Sequence, residues 1–232
     1  LNRLRTALQN KRLSLFVSLY ANDAKLARAA LEEGADGLKV HMNVGHRASG
    51  NHFGPLAEYE MTFREIRSLY DGPLGIVPGG ATEDIRQEEI DRLPGIGIDF
   101  YSIYAFHLPS FLLRSEQLAR TFAVNDSFDL QLVRGAAPFG MDALEASIVP
   151  GNEYGSQLTF ADLLKYRYLV ETSGLPVIVP SQRKIVPEDI PALYDSGVQA
   201  VLVGAIVTGK TEDGIRKAVS ELRNAVDRLG GN

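Results

Sequence analysis

The stretch "LSLFVSLYANDAKLARAALEEGADGLKVHM", residues 13–42, carries two rhythms in one pass. Residues 13–20 are apolar and strand-prone almost without a break, and 35–42 place Leu38, Val40 and Met42 at alternate positions. Between them, 21–34 spaces its apolar residues for one face of a helix and stops on Gly34. Strand, helix and strand in this order predict parallel neighbours, because the connection is long enough to cross the sheet as a helix.

The same alternation continues to the end of the chain. Further strands are expected at 73–80, 98–106, 128–136, 143–150, 175–181 and 199–207, with helices at 58–72, 82–95, 109–122, 159–174, 186–197 and 211–229. Only "APFGMD", 137–142, separates the fifth strand from the sixth, so the fifth helix is shortened or missing. Eight such units in 232 residues predict an α/β chain folded as a single (β/α)8 TIM barrel, one domain over 1–232.

Composition narrows the functional classes. The chain is 45% hydrophobic and 23% charged with a net charge of −5, which gives no basic footprint for nucleic acid. Absence of cysteine excludes disulfides, thiolate metal sites and a cysteine nucleophile. No apolar run reaches the ~18 residues needed to cross a bilayer. The charged opening "LNRLRTALQNKR", 1–12, lacks the apolar centre of a signal peptide, so the cytoplasm is the expected compartment.

On a barrel of this kind the chemistry lies where strands end and the following loops begin. Alternation along 35–42 puts Gly37, Lys39 and His41 on the face opposite Leu38, Val40 and Met42, so Lys39 and His41 point into the barrel near its mouth. A buried ammonium needs a partner, and along 143–150 the same alternation sends Glu145 and Ser147 inward. Glu145 is either the counter-ion of Lys39 or a general acid or base. The loop "PSQRKI", 180–185, offers Ser181, Gln182, Arg183 and Lys184 as an anion grip, and Gly204 and Ala205 end the eighth strand where backbone approaches an anion closely. Arg134, at the expected end of the fifth strand, and His107, after the fourth, are further substrate-contact candidates. His41, His46 and His52 share the second strand and its loop, but an irregular loop is a poor frame for three metal ligands.

The region 14–55 resembles the amino-terminal part of ribulose-phosphate 3-epimerase, within the phosphate-binding barrel superfamily. Ser14 and Ser18 fall on that family's first-strand serines, and "GHRASGNHFGP", 45–55, is similar to its second loop. "VPGNEYGSQLTF", 149–160, is similar to its Pro-Gly loop over the substrate phosphate, with two extra residues, which implies substrate contact by Gly151 and Ser156 as well as Ser18. The resemblance also implies a divalent metal held by His and Asp on the second strand, His on the third and Asp on the seventh. Those positions here hold Lys39, His41, Val77 or a neighbour, and Pro180, so a bound metal is not expected. The scaffold carries over and the two-base epimerisation does not.

The expected function is a metal-independent, cofactor-free enzyme acting on a small phosphorylated or carboxylated carbonyl compound, an isomerase, epimerase or aldolase-type lyase using Lys39, His41 and Glu145. Alternatives are a non-catalytic anion-binding barrel and a barrel prenyltransferase with a phosphorylated acceptor. The expected partner is an anionic small molecule, with no nucleic acid and no membrane; a homodimer is allowed for, since the long second loop can reach a neighbour.

Overall fold

A computed structural model describes residues 2–9 and 12–229; residues 1, 10 and 11 of the charged opening segment lie outside the described residues. Helix α1 (Arg3–Leu8) precedes strands β1 (Ser14–Ser18) and β2 (Gly37–His41), which are joined by α2 (Ala24–Glu32). A hairpin follows, β3 (Val44–His46) with β4 (Asn51–Phe53), and then α3 (Leu56–Ser68) and β5 (Leu74–Val77). Short helices α4 (Gln87–Ile90) and α5 (Leu93–Ile96) lead to β6 (Phe100–Tyr104), β7 (Ala119–Asn125) and β8 (Ala143–Ser147). The chain closes with α6 (Phe160–Ser173), β9 (Val177–Pro180), α7 (Ile190–Asp195), β10 (Ala200–Val203), α8 (Ala205–Thr208) and α9 (Glu212–Asp227). Eight of these strands pair in parallel in the closed order β1-β10-β9-β8-β7-β6-β5-β2, a (β/α)8 barrel. No helix among the described residues is long and apolar enough to cross a membrane.

The fifth strand differs from the expectation. It is β7, which begins in the last residues of the segment read as the fourth helix and runs past it, whereas 128–136 forms a 3-10 turn over Leu130–Gly135. Asp129 starts that turn by accepting from the Gln131 amide at 3.0 Å. The fourth and fifth crossovers therefore consist of 3-10 turns at Ala105–His107, Ser110–Arg114, Leu130–Gly135 and Ala137–Phe139. The second loop is also more ordered than its composition suggests, since Val44 pairs with Phe53 and His46 with Asn51 in an antiparallel register.

Strand parity divides the core in two. Leu38 and Val40, with their counterparts on other strands, pack outward against the helices. The inward set begins at the amino-terminal end with Phe16, Phe100, Ala119, Ala143, Ile178, Ala200 and Leu202, closed from below by Leu4 and Leu8 of α1. Two aromatic rings fit in so narrow a layer because their neighbours have no side chain: a Cβ on Gly37 would press on Phe16, and one on Gly75 would overlap the Phe100 ring. This plug makes the barrel floor solid, so among the described residues the inward face left to meet a ligand lies nearer the carboxyl ends of the strands.

Gly75→Ala is expected to destabilise the protein by about 2 kcal/mol through overpacking against Phe100, with Phe100→Leu in the same chain recovering part of the loss. Urea unfolding measures both; an unchanged midpoint in the single variant contradicts this packing.

Candidate active site

Above the plug lies a buried charge pair. Lys39 Nζ donates to Glu145 Oε1 at 2.9 Å and Oε2 at 2.8 Å, and Ser102 Oγ donates to Oε2 at 2.7 Å. Lys39, Glu145 and Ser102 are only 5%, 7% and 3% exposed, so the carboxylate takes its hydrogen bonds from protein groups. The three side chains come from β2, β8 and β6, far apart in sequence and brought together only by barrel closure. They form the floor of a cavity of about 450 Å³ that opens at the carboxyl ends of the strands.

Two residues further along β2, His41 is fully buried. Asn22 clamps its backbone on both sides, accepting from the His41 amide at 3.1 Å and donating to its carbonyl at 2.6 Å. Its ring stacks on Phe53 at 4.8 Å and meets the His46 ring at 4.4 Å, both supplied by the hairpin. Nε2 lies 3.4 Å from Ser18 Oγ, and Nδ1 is buried with no hydrogen-bond partner. Burial, then the neighbouring His46 and Lys39, push the His41 pKa well below its ordinary value. Burial and Lys39 lower His46 from 6.5 to about 4, with Glu145 opposing. Two neutral imidazoles thus sit above an ion pair.

The hairpin tip adds a group the sequence reading passed over. Arg47 lines the cavity and is exposed, and it forms no ion pair among the described residues. Its guanidinium lies over Gly151 of the sixth loop, where a Cβ would collide with it. A cation between Gly45 and Gly50, just beyond a strand end, is the signal that marks it.

The expected anion grip at 181–184 is taken up by structure. Ser181 Oγ accepts from the Gly204 amide at 2.8 Å. Gln182 accepts from the Val149 amide and donates to the Ser147 carbonyl and the Tyr154 hydroxyl, fastening the sixth loop. Arg183 is turned away from the cavity into Asp162, at 2.9 and 3.0 Å, and Glu153, at 2.7 Å, and it also donates to Ser156. Lys184 is exposed outside the cavity. Arg134 sits exposed in the 3-10 turn of the fifth crossover, because the strand expected to carry it is not there. Ser156 and Ala205 likewise fall outside the cavity lining, whereas Ser18, His107, Gly151, Ser181, Gln182 and Gly204 belong to it. His52 pairs across the hairpin with Gly45, and among the described residues no three His, Asp or Glu side chains are placed to share a metal ion. Val77 and Pro180 line the cavity without a donor atom, so the metal implied by the epimerase resemblance does not fit these residues.

No family model matches the chain, and no curated protein matches it. Solved structures do. Thiamine phosphate pyrophosphorylase from Pyrococcus furiosus is 21% identical, covering 98% of this chain and 100% of that one with a TM-score of 0.67. The tryptophan synthase complex of Pyrococcus furiosus supplies a chain 16% identical, covering 93% of this chain and 98% of its own with a TM-score of 0.72. A mutant tryptophan synthase alpha-subunit from the same organism gives 16% identity, 91% and 98% coverage and a TM-score of 0.71. At these identities the likeness establishes the barrel fold alone.

Both histidines have folded pKa values below their unfolded ones, so the unfolded chain binds more protons in acid. The stability they contribute is complete above about pH 6.5 and falls as pH drops towards 4, where His46 protonates. Histidine carbon-proton NMR is expected to show His46 titrating near pH 4, with neither His46 nor His41 titrating near 6.5. A thermal midpoint that falls between pH 6.5 and 4, and falls less in His46→Gln, agrees with this; an ordinary titration of either ring contradicts it.

Proposed function

We propose that this barrel is a metal-independent enzyme acting on a small phosphorylated or carboxylated carbonyl compound, in the isomerase, epimerase or aldolase-type lyase classes. The observation that carries the reading is a lysine amine at the floor of the cavity, 2.8 Å from a carboxylate able to take its proton. The epimerase resemblance supports the scaffold, and the name of one structural neighbour, a thiamine phosphate pyrophosphorylase, agrees with a phosphorylated ligand.

In this reading Glu145 accepts a proton from Lys39, and the free amine attacks the substrate carbonyl carbon to form a carbinolamine. Proton return from Glu145 expels water and leaves a cationic imine beside the Glu145 carboxylate. The imine withdraws electrons from the adjacent carbon, whose proton or carbon–carbon bond is then released. His41 is the proton acceptor within reach, and the negative charge of a bound anion raises its basicity from the depressed value of the empty cavity. Arg47 holds the anion at the mouth by charge-assisted hydrogen bonds. Ser102 keeps one carboxylate oxygen occupied and so fixes the orientation of the other.

A second reading has one observation in its favour: the Lys39–Glu145 pair is fully satisfied as it stands, as a purely structural pair in an anion-binding barrel would be. Borohydride trapping separates the two. Dihydroxyacetone phosphate and pyruvate, each with sodium borohydride, are expected to leave a reduced adduct on the Lys39 peptide, absent from Lys39→Met. No adduct from either compound, by peptide mass spectrometry, removes the imine step.

A further inference from the structure

The end of β6 and the fourth and sixth loops bring three aromatic rings to the cavity: Tyr104, Phe106 and Tyr154. The Tyr104 and Phe106 rings are parallel, 7° apart in plane with centroids at 5.2 Å, and His107 meets Phe106 edge-on at 4.5 Å. The Tyr154 hydroxyl accepts from Gln182 Nε2 at 2.7 Å, and Tyr104 is half-buried at the end of β6. The wall is therefore held in place before any ligand arrives, which lowers the entropic cost of binding against it. Phe106 has no polar end to hold, yet 52% of it is open. An exposed apolar ring beside a concave, partly apolar cavity is a ligand surface awaiting cover. Arg47, over Gly151, reaches the same side of the mouth.

A three- to five-carbon carbonyl phosphate is small enough to reach Lys39 but leaves this wall uncovered. We propose that the substrate carries a planar aromatic or heteroaromatic ring in addition to its phosphate or carboxylate, with the ring stacked on the open face of Phe106 and the anion on Arg47. The anion half of this proposal rests on the function proposed above; the ring half rests on Tyr104, Phe106 and His107 alone. Planarity matters because the Tyr104–Phe106 pair is already stacked, and a third flat ring extends the stack in the offset geometry aromatic groups prefer. A saturated ring of equal bulk covers Phe106 but cannot stack.

Calorimetric titration with phenyl phosphate, cyclohexyl phosphate, glycerol phosphate and phenol tests each half. Phenyl phosphate is expected to bind about tenfold tighter than glycerol phosphate and about threefold tighter than cyclohexyl phosphate. Phe106→Ala, an exposed position whose loss leaves the core intact, is expected to erase both margins. Equal binding of phenyl and glycerol phosphates, or margins that survive Phe106→Ala, overturns the ring while leaving the anion reading standing. Phenol binding as tightly as phenyl phosphate supports the ring and removes the anion. No binding of any ring compound at millimolar concentration overturns the proposal.

Discussion

The ion pair between Lys39 and Glu145 constrains everything around it. Each charge loses several kcal/mol of hydration when it enters a barrel interior, and mutual attraction offsets that loss only when the geometry is close and the spare lone pairs are occupied. Two contacts under 3 Å and the Ser102 hydroxyl meet those conditions. They are met only if β2, β6 and β8 keep the register that turns these three side chains to the same level. A shift of one residue on β2 would send the lysine among the helices and Val40 into the pair's place.

The rest of the interior is arranged by height about this pair. Below it, Phe16 and Phe100 over side-chain-free glycines exclude water and leave no room for a second polar layer. Above it, Lys39 presses positive charge on His41 and His46, and burial does the same in sign, so both rings stay neutral. The hairpin β3–β4 brings His46 and Phe53 against His41 and carries Arg47 to the rim. From the mouth inward the cavity presents the Arg47 guanidinium, which forms no ion pair among the described residues, then the neutral imidazoles, then an amine whose proton already has an acceptor.

Much of this was legible in the chain and some was not, for physical reasons. Alternation on 35–42 and 143–150 was enough to turn Lys39, His41 and Glu145 inward, because a period of two leaves no other choice once Leu38, Val40, Leu144 and Ala146 face the helices. The fifth strand escaped because its inward side is small and polar, Ala119, Thr121, Ala123 and Asn125, and shows no alternation to read. Meanwhile "FDLQLVRGA" imitates a strand while Asp129 caps a 3-10 turn. Arg183 was misread because its partners Glu153 and Asp162 lie 21 or more residues away and are chosen by the tertiary fold. Arg47 and Phe106 were missed for the opposite reason: loops have no period, and only the folded hairpin and the 3-10 turn after β6 show which residues overlook the mouth.

A double-mutant cycle on the pair, by urea unfolding of Lys39→Met, Glu145→Gln and the combination, tests the central claim. Each single change is expected to cost about 3 kcal/mol or more, because it leaves one buried group without its partner. The combination is then expected to cost clearly less than the two together. Costs that simply add, or single losses below about 1 kcal/mol, would mean that the two side chains do not depend on each other and that the interior is organised around something else.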